Sequence, residues 1–97
     1  MKLYVDDMRK APEGWDQAWS FHEAIHMLQT GNYEVVSLDH DLGSFYGYKE
    51  MTGMDILNWI ERQNSEGYGP HLKTIMVHTA NASAANEMKE IARRLQK

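Results

Sequence analysis

Apolar residues in this chain fall into short blocks, and the spacing within a block changes from one to the next. In "KLYVDD", Lys2 to Asp7, Leu3 and Val5 alternate with their neighbours at the period of a strand, which runs straight into two acids. "YEVVSLD", Tyr33 to Asp39, is β-branched and continuously apolar at its centre, the pattern of a strand covered on both faces. "LKTIMV", Leu72 to Val77, reads as a third strand, and "DQAWS", Asp16 to Ser20, as a weak further one. Between these blocks the period lengthens. Phe21, Ala24, Ile25 and Leu28 share one face of a helix that Ser20 caps and that Gly31 and Asn32 stop. Thr52 and Asp55 mark the start of a second helix through "MDILNWIERQN". A third runs from about Ser83, with Met88, Ile91, Ala92 and Leu95 inward. "RKAPEGW", Arg9 to Trp15, and "EGYGP", Glu66 to Pro70, break the chain, and "GSFYGYKEMTG", Gly43 to Gly53, reads as a mobile loop.

Strands separated by helices predict a mainly parallel sheet. The expected fold is a small three-layer flavodoxin-like α/β domain spanning residues 1–97 as one unit, since no repeat or linker-like change of composition interrupts the chain. At 97 residues and 42% hydrophobic content there is material for one modest core. No apolar run is long enough to span a membrane and the start "MKLYVDDMRK" has no signal-peptide core, so the expected location is the cytoplasm. The absence of cysteine excludes disulfides, thiolate zinc sites and cysteine nucleophiles, leaving Asp, Glu, His and carbonyl oxygens for any metal. A net charge of −4 argues against holding an extended duplex by charge, yet leaves a small anion or a nucleic-acid end as partner.

In a parallel sheet the carboxyl ends of the strands gather along one edge, where ligands of open α/β folds bind. The three strands with the clearest apolar pattern end in Asp6 and Asp7, in Asp39, His40 and Asp41, and in His78, Thr79 and Asn81. Any one of these sets could merely cap a loop or the following helix. Acid, base and hydroxyl groups at all three ends point to a reactive pocket.

"LYVDD", "VVSLD" and "MVHTAN" resemble the first, third and fourth strands of response-regulator receiver domains. The resemblance implies Mg²⁺ or Mn²⁺ held by Asp6, Asp7 and Asp39, with Thr79 at the switch hydroxyl. Three departures stand out: a loop where the first helix belongs, no fifth strand-helix unit, and His40, Asp41 and His78, which are foreign to ordinary receivers. "VDDMR", "PEGW", "SLDHDLG" and "VHTAN" are together similar to a narrower group, the cyclic-phosphate-processing receiver-like domains. That similarity implies hydrolysis or transfer at a cyclic phosphate, on an RNA end or a cyclic nucleotide. The alternative is a non-catalytic receiver-like module that binds a nucleotide or a protein partner.

The chemistry supports the same reading. Opening a 2′,3′-cyclic phosphate needs a base for water and an acid for the leaving ribose oxygen, roles that His40 and His78 fit. Asp39 or Asp41 would orient an imidazole and fix its tautomer. Arg9 would grip phosphate, Thr79 and Asn81 would donate to it ahead of a helix N-terminus, and Trp15 would stack a base. The simpler roles are charge neutralisation for Arg9, helix capping for Thr79 and Asn81, and packing for Trp15, Trp19 and Trp59. Tyr46 and Tyr48, between glycines, are either a second stacking surface or plain surface. A rival motif, "HEAIH", matches the zinc-protease pattern at His22 and His26. Setting Phe21, Ala24, Ile25 and Leu28 against the core turns both histidines about 100 to 140° away, toward solvent, and no third ligand follows at the required spacing. His71 falls at the other end of the sheet from the acids.

Overall fold

The computed structural model describes residues 1–96. A four-stranded parallel sheet is built from β1 (Lys2–Val5), β2 (Asp16–Ala18), β3 (Val35–Leu38) and a strand after the second helix, with the order β2-β1-β3 and then that last strand at the edge. Helix α1 (Phe21–Thr30) joins β2 to β3. A two-stranded antiparallel hairpin, β4 (Ser44–Tyr46) and β5 (Lys49–Met51), precedes α2 (Gly53–Ser65), and β6 (Thr74–Val77) completes the parallel sheet before α3 (Ala82–Leu95). The segment read as a mobile loop therefore holds regular structure. Its alternation is too short and too exposed to signal strands, and the pairing closes around Gly47, whose positive φ of 62° makes the turn.

The helix boundaries follow their caps. Ser20 Oγ accepts from the Glu23 amide at 3.1 Å. Asp55 reaches back to the Thr52 amide at 2.8 Å, and Asn81 Oδ1 accepts from the Ala84 amide at 3.1 Å. The last helix thus begins at Ala82, one residue before the expected start.

Both crossovers, β2-α1-β3 and β3-α2-β6, step the same way across the sheet, so their right-handedness lays the helices on one face. There α1 lies against α2, and α2 against α3. Leu3, Val5, Ala18, Val36, Leu38 and Ile75 supply the sheet side of the core, packed on Ala24, Leu28, Ile56, Leu57, Ile60, Met88 and Ala92. Each fully buried Val, Leu, Ile or Met side chain among them stabilises the fold by about 1.5–3 kcal/mol. The receiver-like α/β architecture is as expected, without the first helix and the fifth unit. Of the expected layers, the one opposite the helices is supplied by the loop from Asp6 to Trp15 instead of by helices. Across that face run Gln17, Tyr4, Ser37 and Met76 in register, and Met76 is half exposed. The strand "YEVVSLD" is accordingly covered by helices on one side only.

Candidate functional site

The ends of β1, β3 and β6 lie side by side because each extends the ladder by one residue. Asp6 N donates to Ala18 O at 3.1 Å, Asp39 N to Val5 O at 3.0 Å and His78 N to Leu38 O at 3.0 Å. The three side chains therefore start from adjacent rungs. One ligand-type atom from each of Asp6, Asp39 and His78 lies within 4.8 Å of the others, a spacing at which three such atoms can share one cation.

Asp6 is 1% exposed and divides its two oxygens between structure and site. Oδ1 accepts from the amides of Met8 and Arg9, both at 2.8 Å, and so turns the chain off β1 into the loop. Oδ2 meets His78 Nε2 at 3.0 Å. Burial pushes the Asp6 carboxyl up, but the Arg9 and Met8 amides and His78 together outweigh it and hold the group below its ordinary value. A depressed folded-state pKa contributes stability at neutral pH that is lost as pH falls below about 4 toward the folded value. Asp6→Asn, studied in chelator, should therefore be less stable than wild type at pH 7 and lose less stability on acidification. Parallel acid-unfolding curves for the two proteins between about pH 5 and about pH 2 would contradict this.

His78 is held at both ring nitrogens and on one ring face. A carboxylate accepts only, so Nε2 carries the proton shared with Asp6, and Nδ1 pairs with Ser37 Oγ at 2.7 Å. Tyr4 stacks on the imidazole, with centroids 4.2 Å apart and planes 6° from parallel. Ser37 and Tyr4 were absent from the sequence-derived site. A lone serine in the apolar run "VVSL" was the available signal, since a buried hydroxyl must find a partner.

His40 follows Asp39, whose Oδ1 accepts from the His40 amide at 2.8 Å. Its Nδ1 pairs with Asp41 Oδ1 at 2.9 Å, and no protein group among the described residues hydrogen-bonds Nε2. Asp41 is exposed, while the His40 side chain is only 23% exposed. The motif glycine has a geometric reason. Gly43 adopts φ +56°, and a Cβ there would come 3.1 Å from Asp7 Oδ2, so the Asp7 carboxylate lies against Gly43 and outside the three-residue group.

Around this cluster, Arg9 Nη1 donates to the His78 carbonyl at 3.3 Å. Thr79 Oγ1 accepts from the Asn81 amide at 3.2 Å, and Asn81 caps α3. Trp15 packs edge-on against Tyr4 at 6.1 Å, and Trp59 is core. His22 and His26 are exposed, and His22 Nε2 is 3.1 Å from the Phe45 carbonyl, so "HEAIH" assembles no ligand group. His71 lines a separate cavity with Tyr33 and Pro70.

Fold and site together define a receiver-like α/β domain in which histidines join the acidic edge. Residues 1–94 match the family described as the cyclic-phosphate processing receiver domain, and the chain belongs to that family. Neither the curated proteins nor the solved structures compared with the chain match it. No helix among the described residues is long and apolar enough to cross a membrane.

Proposed function

We propose that this domain is a phosphoesterase that hydrolyses a cyclic phosphate on a nucleotide or an RNA end. The observation that carries the reading is the presence of two aspartate-bonded imidazoles, His40 with Asp41 and His78 with Asp6, at one edge of the sheet. His40 Nε2 takes a proton from the attacking water as its oxygen bonds to phosphorus. The bond from phosphorus to one ribose oxygen breaks, and that oxygen is protonated by His78, leaving a phosphate monoester. For this step the leaving oxygen replaces Ser37 or Asp6 as a partner of His78. Arg9 spends only one long contact on a carbonyl, which leaves its guanidinium for the phosphoryl oxygens. The Thr79 hydroxyl hydrogen and the Asn81 side-chain Nδ2 remain as donors beside it.

The donor set also fits a divalent cation. Two carboxylates and an imidazole suit Mn²⁺ better than Mg²⁺, which prefers oxygen throughout. Asp6, Asp39 and His78 would hold it, with His78 then a ligand and not the acid, and its charge would polarise the phosphoryl group and stabilise the leaving oxygen. The second reading, a non-catalytic module binding a nucleotide or a protein partner, is favoured by one observation: both ring nitrogens of His78 are already engaged.

The test is a screen of 2′,3′-cyclic nucleotides, 3′,5′-cyclic nucleotides and cyclic oligonucleotides, in chelator and in Mn²⁺, with melting temperature followed alongside. Cleavage of a 2′,3′-cyclic substrate is expected, together with a rise in melting temperature in millimolar Mn²⁺ that His78→Ala abolishes. Saturable binding without cleavage would favour the binding module. Neither binding nor cleavage would remove the phosphate reading.

A further inference from the structure

Beside the acidic edge, on the face of the sheet without helices, lies a cavity of about 580 Å³ lined by Lys10 to Trp15, Gln17 and Trp19. Its volume falls in the range of about 300–1,000 Å³ usual for small-molecule sites. Side chains alternate along a strand, so Trp15, Gln17 and Trp19 project to the same side of β2 and its flanks. The two indoles are not core residues: Trp15 is half-buried and Trp19 is 45% exposed. Four residues of strand put their Cα atoms about 13 Å apart. A base stacked face to face on both indoles would need outer centroids only about 9 Å apart, two steps of about 4.5 Å, so at this spacing a single base stacks on one indole.

The cavity adjoins the reactive cluster by direct bonds. Gln17, at its floor, donates from Nε2 to the carbonyls of Asp6 at 3.1 Å and Arg9 at 3.2 Å and accepts from the Ala11 amide. That fixes both the loop that roofs the cavity and the residue that carries the buried carboxylate. Trp15, Tyr4 and His78 form a continuous series of ring contacts from the cavity to the cluster.

We propose that this cavity is a nucleobase subsite with Trp19 as its stacking surface and Trp15, whose ring already carries Lys2 Nζ 5.5 Å from its centroid, as its wall, so that the cyclic phosphate at the cluster belongs to a nucleotide and not to a base-free polyol. The proposal rests on the phosphoesterase reading for its orientation, but base stacking itself needs no turnover. Trp19, the more exposed indole, is the residue to replace, because Trp15 also packs on Tyr4.

The ratio of kcat/KM for 2′,3′-cyclic AMP to that for glycerol 1,2-cyclic phosphate should fall about 5- to 150-fold in Trp19→Ala, the equivalent of one lost base–indole stack. Trp19→Phe should recover most of it. In parallel, titration of wild-type protein with adenosine 3′-monophosphate should shift the NMR indole N–H signals of Trp15 and Trp19 and leave that of buried Trp59 in place. An unchanged ratio in Trp19→Ala, or indole signals that do not move at millimolar nucleotide, overturns the subsite. Equal cleavage of both substrates by wild type would do so too, with the phosphoesterase reading intact. Nucleotide-dependent shifts at Trp15 and Trp19 with cleavage of neither substrate would uphold the subsite and refute the phosphoesterase.

Discussion

His40→Ala should lower turnover of a 2′,3′-cyclic phosphate by about 10²- to 10⁴-fold while leaving the melting temperature near that of wild type. Among the described residues the imidazole is hydrogen-bonded only to the exposed Asp41 and is not part of the apolar core, so its loss removes chemistry at a small cost in packing. His78→Ala should show a similar kinetic loss but also a stability loss, because it strips Ser37 Oγ and Asp6 Oδ2 of their partner. Leaving a buried polar group unpaired costs about 1–3 kcal/mol. If the two act in one step, the double variant should turn over little more slowly than the worse single one. His22→Ala and His26→Ala, on the exposed side of α1, serve as references and should retain activity. Full activity in His40→Ala would remove the acid–base role assigned to it.

Gly53→Ala should be the most damaging single methyl in the molecule. Gly53 opens α2 with its amide on the His40 carbonyl at 2.9 Å, and the Asp39 carbonyl lies where its Cβ would be. The Met88 methyl, fully buried, would be only 2.7 Å from the new carbon. Neither neighbour is a flexible side-chain tip on the surface. Relief requires moving either the backbone that carries Asp39 or the core beneath α3. A cost of about 3 kcal/mol, the upper end for overpacking, corresponds to a fall in melting temperature of about 12–24 °C in a domain of this size. Activity should fall as well, since displacing Asp39 disturbs the cluster. A melting temperature within about 3 °C of wild type would show that the helix start yields more easily than the packing implies.

The acids and His78 could be placed from sequence because strand ends in a parallel sheet share an edge, so apolar blocks stopping at Asp6, Asp39 and His78 were enough to bring them together. The helix starts were legible through Ser20, Thr52 and Asp55, whose capping is local chemistry. What sequence reasoning missed depends on contacts between distant segments. Nothing local to Tyr4 announces that it stacks on His78, and nothing local to Gln17 announces that it ties down the loop after β1. Asp7 and Asp6 look equivalent in "VDD", and only the alternation of side chains beyond β1 separates the buried one from the one beside Gly43. The hairpin at Ser44–Met51 escaped notice because one side of it is held by α1, through Phe21 N to Ser44 Oγ at 3.0 Å.

The amides of Asp6, Asp39 and His78 are themselves the last rungs of the parallel ladder, each bonded to the neighbouring strand. These three residues are thus not carried on loops that could order or melt independently. Their alignment survives only while β1, strands from widely separated parts of the chain on either side of it, and β6 remain paired, and it dissolves when the sheet does. Exchange of these three amides with solvent is consequently tied to opening of the sheet ends and not to loop fluctuation. In this domain, the geometry of the cluster and cooperative unfolding are two readings of the same hydrogen bonds.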